Sequence, residues 1–410
     1  MRKWTVLLLL AVSAWPAMAA KSVNVGQVED LLDKLHGKSD GKVAQELSDL
    51  ELTERVSPAR LAKWEKDFPG SRTHEALIKL ADLATFLNPP AEDVVPIPGP
   101  DSATQERMLA MAAEYVKTTI TRLPNFIATR ETTHFEDAPA TQSPVANAPM
   151  MLGMSTRSMR QPVGSPSVSS TELKGLHSTG TASATVTYRD GYEVHDADTE
   201  PGMNRGKLPK TLTTMGEFGP ILSVVMGDVL RSQATWQRWE KGANEPAAVF
   251  QYSVSAEQSN SLVKIPSGGT IEDVYPGYHG EIAIDPATGA ILRISVVSEL
   301  PPPWQAIQTA VLVEYAPVMI GEQSYICPVR GVAFYKAPAT NAAAAQQRSA
   351  SDVQTQLNDV AFTQYHLFRS KARIVTGESE QGDAPAGSPA AAPPGAPAVP
   401  TVATPESRRP

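Results

Sequence analysis

The chain has 410 residues, 20% of them charged and 41% hydrophobic, with a formal net charge of −8. That length suggests two or three domains, and the acidic balance argues against nucleic acid and anionic membrane as main partners. The one cysteine, Cys327, excludes an intramolecular disulfide, so stability has to come from buried apolar area.

Residues 1–20 have the order of an export signal. Arg2 and Lys3 make a positive start, Trp4 to Val12 form an apolar run, and Ala17-Met18-Ala19 fits a small-x-small cleavage site after the helix-breaking Pro16. A cleavable secretory signal peptide is expected, and with it a protein exported to the periplasm or beyond. The apolar run is shorter than the roughly 20 residues a membrane-spanning helix needs. No later stretch reaches that length, so no transmembrane segment is expected after cleavage.

Residues 21–124 read as a helical domain. Val25, Val28, Leu31, Leu32 and Leu35 recur at helical spacing, and Gly37 is a plausible stop. Ser39-Asp40 is expected to cap a second helix carrying Val43, Leu47 and Leu50. Ser57-Pro58 predicts a third, with proline at its first position, through Phe68. Ser71 is expected to cap a fourth, running to Phe86. A proline-punctuated stretch to Pro100 follows, with no room for regular structure. Asp101 or Ser102 opens a fifth helix to about Arg122. Short connections make these an N-terminal helical bundle.

The character changes at Asn125, and residues 125–376 read as an antiparallel β-domain. Phe126 to Phe135 is a strand by its β-branched and aromatic content. Residues 136–170 look like a long loop or disordered insertion. Arg189-Asp190-Gly191 marks a hairpin turn, and Asp285 to Gly289 marks another between Gly280–Asp285 and Ala290–Val297. Val311–Tyr315 and Ser324–Val329 form a further hairpin, and Leu357 to Val375 supplies one or two last strands. Phe218 to Leu230 is the exception, a helix expected to cover the sheet. Residues 377–410, rich in proline and alanine, cannot bury enough surface to order themselves and read as a disordered tail.

Residue types that carry chemistry are present, but not in catalytic patterns. The seven histidines form no metal-ligand spacing, and no nucleophile elbow or nucleotide loop occurs, so no catalytic residue, metal or cofactor is assigned. His195-Asp196-Ala197-Asp198 reads as a polar turn, and Met150, Met151, Met154 and Met159 as a loose apolar loop. Cys327 lies in an apolar strand-like run and reads as a small buried hydrophobe. Trp236 and Trp239 either line a pocket mouth or pack in the core. Tyr278 lies in a glycine-flanked aromatic loop that either rims a site or fills a turn.

One resemblance rests on strands and turns. Tyr278 to Pro286 with Gly289 to Ile294, Val313-Glu314-Tyr315 with Pro317-Val318, Tyr325 to Val329, and Phe362 to Phe368 together resemble the lipoprotein-carrier superfamily, the LolA-like half-barrels of bacterial envelopes. This strand half is also similar to that of other secreted bacterial proteins. The resemblance implies a curved antiparallel half-barrel with one covering helix for the β-domain, and with the helical bundle before it the expected fold is α+β. It also implies an apolar ligand, a lipid, acyl chain or lipidated protein; the helical domain, which has no counterpart in that superfamily, is expected to contact an envelope protein partner. Ile221, Leu222, Val225, Met226, Trp236, Trp239 and Tyr278 are the expected ligand-binding residues. The alternatives are a filled core in a structural or scaffold protein of the envelope, and a hydrolase whose site assembles only in the fold.

Overall fold

The computed structural model describes residues 21–137, 176–194, 212–214, 216–243, 245–267, 270–338 and 353–368. The expected signal peptide, the Met150–Met159 cluster, most of the expected 136–170 insertion, the His195–Asp198 turn and the 377–410 tail lie outside them.

Short strand β1 (Lys21–Val23) leads into α1 (Val25–Leu35), followed by α2 (Asp40–Ser48), β2 (Leu50–Leu52), α3 (Pro58–Asp67), α4 (Ser71–Leu83) and α5 (Ser102–Arg122). Local chemistry sets these bounds. The Asn24 side chain accepts from Gln27 N and the Gln27 side chain from Asn24 N, a reciprocal cap that starts α1. Asp101 caps α5 by accepting from Thr104 N. Several details differ from the sequence expectation: α4 ends at Leu83 rather than Phe86, and Ser39 makes no side-chain cap bond to α2. Leu50 is not part of α2, because α2 ends at Ser48 and Leu50–Leu52 pairs in parallel with β1. Nor does Ser71 cap α4: Gly70 holds that place, and Asp40 from α2 accepts from Arg72 N, Thr73 N and Thr73 Oγ1. A Cβ on Gly70 would sit 2.2 Å from that carboxylate, which accounts for the glycine.

The rest is mostly sheet: β3 (Phe126–Glu136), β4 (His177–Arg189), β5 (Tyr192–Val194), then α6 (Pro220–Val229), β6 (Gln233–Glu240), β7 (Ala247–Val254), β8 (Val263–Ser267), β9 (Thr270–Val274), β10 (Gly277–Ile284), β11 (Ile291–Glu299), β12 (Gln308–Ile320), β13 (Gln323–Pro338) and β14 (Val353–Leu367). Ten strands form one open antiparallel sheet in the order β5-β4-β3-β14-β13-β12-β11-β10-β7-β6, and β8 and β9 pair separately as a hairpin arm. The fold is α+β with a large antiparallel sheet. The expected hairpin turns are present: Asp190 and Gly191 both take positive φ, 54° and 87°, as a tight two-residue turn demands.

Helices cover both faces of this sheet. Buried residues of α1 to α4 form their own apolar core around Val25, Val28, Leu47, Trp64 and Leu77. That layer meets a face of the sheet that carries charged residues and, under Ile78 of α4, an apolar patch of Phe135, Val332 and Leu357. On the opposite, apolar face lie α6 and also α5, whose Met108, Ala112 and Val116 share one core with Leu222, Val225 and Met226 of α6 and with Phe250, Ile282, Ile294 and Val313 of the sheet. Strand alternation makes the two faces: Ile282 pairs with Ile294 on one side, and the next positions, Glu281 and Arg293, belong to the other. At the far edge, the 93–95 backbone binds β6. Val95 N donates to Trp239 O at 2.9 Å and Lys241 N to Asp93 O at 2.8 Å.

Two ion clusters tie the helical layer to the charged face. Arg55, in the segment after β2, donates to both oxygens of Glu240 at 2.9 Å. Arg238 and Arg293 also bind Glu240, and Arg238 binds Glu281 at 2.7 Å. Burial opposes charge on Glu240, but Arg293, Arg55 and Arg238 outweigh it and hold its carboxyl down to about 2. In the second cluster, Arg330 of β13 meets Asp82 of α4, Asp359 of β14 and Glu314 of β12. Burial pushes Asp82 well above the usual carboxylate range against the pull of Arg330, with Asp359 and Glu314 adding to the rise.

Candidate functional site

The apolar face is closed in one part and open in another. Directly beneath α6 and α5 it is filled. Leu222 and Met226 are buried there, and so is Tyr278, whose strand position turns it inward under the helix. Farther along, toward the ends of β11, β12 and β13, the helices no longer reach. Val296, Ser298, Thr309, Val311, Ala333 and Tyr335 share that part of the face by register. A cavity of about 400 Å3 opens over them, walled by Ile221, Val224 and Val225 of α6, by Asn260 to Ile265 at the root of the hairpin arm, and by Leu212 to Thr214. Such a volume falls within the roughly 300–1,000 Å3 of small-molecule sites, and the wall is mostly apolar, as those sites are.

The arm is fixed in place by one buried carboxylate. Asp228, near the end of α6, accepts from Arg231 Nη2 at 2.6 Å and Asn260 Nδ2 at 2.5 Å on one oxygen, and from Asn260 N and the Tyr278 hydroxyl, both at 2.8 Å, on the other. Four donors satisfy a carboxylate that is 1% exposed, so helix, arm and sheet are held as one wall. Burial and the bond to Asp228 push the Tyr278 hydroxyl above its ordinary range, which keeps it a neutral donor.

The seven expected ligand residues therefore separate. Ile221 and Val225 line the cavity. Leu222 and Met226 belong to the closed core, and Tyr278 acts on the site only through Asp228. Trp236 and Trp239 are elsewhere, at the β6 end. A bulge between Trp236 and Arg238 puts both indoles on the same face, with ring centres 4.8 Å apart. Trp236 packs edge-on against Phe250, and Trp239 Nε1 donates to Pro98 O at 3.0 Å. Cys327 is buried among Phe126, Tyr188 and Phe218, and burial pushes its thiol up to about 12. A thiol so placed is no nucleophile.

Sequence reasoning missed Asp228 and the β11–β13 lining, and it also missed Arg130. One signal was available for Arg130: it has the strand parity of Phe126 and Ala128, so a charged residue stands where alternation calls for an apolar one. Among the described residues no group of three or more histidine, cysteine, aspartate or glutamate side chains is placed to hold a metal, and no helix is long and apolar enough to cross a membrane. No family model, no curated protein and no solved structure matches the chain.

Proposed function

We propose that the protein is an exported, non-catalytic component of the cell envelope that binds an apolar ligand, a lipid, acyl chain or lipidated protein, on the apolar face of its sheet. The observation that carries this reading is the cavity of about 400 Å3 between α6, the hairpin arm and strands β11 to β13. Burying an alkyl chain there removes its surface and that of Val296, Val311 and Tyr335 from water, at roughly 25 cal/mol per Å2. The mostly apolar wall favours binding of an apolar molecule. The n-h-c pattern of residues 1–20 supports export.

A scaffold reading draws on the filled core under α5 and α6 and gives the cavity no occupant. Native mass spectrometry of the mature protein from its own envelope, with lipid extraction of the same sample, separates the two. A stoichiometric apolar adduct is expected, as is uptake of a fluorescent fatty acid that Val311→Trp abolishes by filling the cavity. A clean apo mass with no uptake by the unmodified protein would leave the scaffold reading.

A further inference from the structure

The two margins of the large sheet are finished differently. At the β6 margin the 93–95 strap takes up backbone groups. At the other margin, β5 pairs with β4 only across Thr187 to Arg189. Arg189 and Tyr192 flank the two-residue turn and close it as a hydrogen-bonded pair, so the backbone groups of Arg189 and Thr187 face β5. By alternation those of Thr185, Ser183 and Thr181 face the same way, past the end of β5. Among the described residues no backbone group pairs with them. Native sheets guard such an edge with lysine, proline or a covering segment. Residues His177 to Tyr188 include no proline, lysine, arginine or acidic residue.

A cavity flanks this edge on each face. On the α6 side, Gly180, Ala182 and Ala184 stand in register with His134, Thr132 and Arg130, and their small side chains leave a hollow of about 360 Å3 beside Leu212 and Thr213. On the side of the helical layer, Ser178 and Thr181 border a cavity of about 590 Å3 that reaches α3 and α4. Its charged groups are Glu65, Glu75, Glu131, Asp359, Arg330 and His74. Arg330 is matched by Asp82, Asp359 and Glu314, which leaves Glu65, Glu75 and Glu131 against His74. Glu75 and Glu131 are both exposed. A strand laid antiparallel on β4 alternates its side chains between the two faces. Those opposite Ala182 and Ala184 enter the hollow, and those opposite Thr181 and Ser183 turn to the acidic cavity. We propose that the β4 edge from Gly180 to Val186 receives an extended peptide segment of a partner protein in which apolar side chains alternate with lysine or arginine. Main-chain bonds to Thr181, Ser183 and Thr185 supply affinity, and the two cavities choose the side chains. A second copy of this chain fits less well, because its own β4 brings no basic group to the acidic side and nothing large to the hollow. The edge site is independent of the apolar-ligand reading.

The test measures fluorescence anisotropy of a labelled peptide of alternating valine and lysine with the full mature chain. Two further peptides serve as controls, one with glutamate in place of lysine and one N-methylated at each lysine, where the amides that would pair with β4 lie. The valine–lysine peptide is expected to bind, and each control at least about tenfold more weakly. Ser183→Pro removes an amide that the β3 ladder does not use and should weaken binding about tenfold. Glu131→Gln should weaken it about threefold, as an exposed ion pair does. Equal binding of the N-methylated peptide, or undiminished binding to Ser183→Pro, would overturn the edge site. Equal binding of the glutamate peptide would overturn the basic partner, and no binding at all would overturn the whole proposal. Two measurements on the free protein also bear on it. Self-association that Ser183→Pro removes would assign the edge to a second copy. Slow hydrogen exchange at the Thr181, Ser183 and Thr185 amides would show that the chain covers its own edge, and either result would overturn the partner peptide.

Discussion

The two faces of the large sheet carry helices by different means. On one, α5 and α6 are held by a continuous apolar core. On the other, the α1 to α4 layer keeps a separate core and meets the sheet mainly across Arg55, Arg238, Arg293, Glu240 and Glu281 at one place and Asp82, Arg330, Asp359 and Glu314 at another, with one apolar contact of Ile78 on Phe135, Val332 and Leu357. Apolar contact is strong but not directional, so the α5–α6 pair can cover part of its face and leave the rest for a ligand. Buried ion pairs are directional and add little net stability, but they penalise every misplaced arrangement. The charged face thus fixes where a layer sits, and the apolar face provides binding area.

Removing Glu240 should damage this division most. Glu240→Ala leaves three arginines around an empty place, and a loss of about 3–5 kcal/mol in urea unfolding is expected, as for other broken buried pairs. The same carboxylate gives an acid limit. Because its folded value is about 2 against an ordinary 4.5, its contribution is complete above the ordinary value and disappears as pH falls through the folded one. Leu222→Ala strikes the apolar face and should cost about 2–5 kcal/mol, with little effect on how the helical layer docks. Asp82 gives a smaller effect of opposite sign. The folded chain keeps a proton that the unfolded chain releases above 3.8, so stability should decline as pH rises from that value through the raised folded one, and Asp82→Asn should flatten the decline. Smallest is Tyr278→Phe, which removes one of four donors to Asp228. About 1 kcal/mol of stability is expected to go, together with faster hydrogen exchange at Asn260 to Ile265.

Much of the architecture was legible because it is local. Asp101 announces a helix start, Asp190-Gly191 a tight turn, and Phe218 to Leu230 a helix among strands. What could not be read depends on partners far apart in the chain. Arg55 and Glu240 are 185 residues apart, and no spacing rule joins them. Trp236 and Trp239 would fall on opposite faces of a regular strand, and only the bulge brings them together. Ile221 and Val225 were found by helical spacing, but which side of α6 meets filled core and which meets open space depends on where α5 lies. Arg130 was visible as a parity violation, whereas its small opposite numbers on β4 become meaningful only once the register is known.

The 93–95 strap has a consequence for life at high concentration. An open sheet ends in a row of unpaired backbone groups, and such a row templates the addition of another chain. Here the strap's own amides and carbonyls occupy part of the β6 margin, and Pro96 and Pro98 follow directly after it. Proline offers no amide to a newcomer. The strap thus occupies the 239–241 end of that margin and shortens the row on which another strand could add.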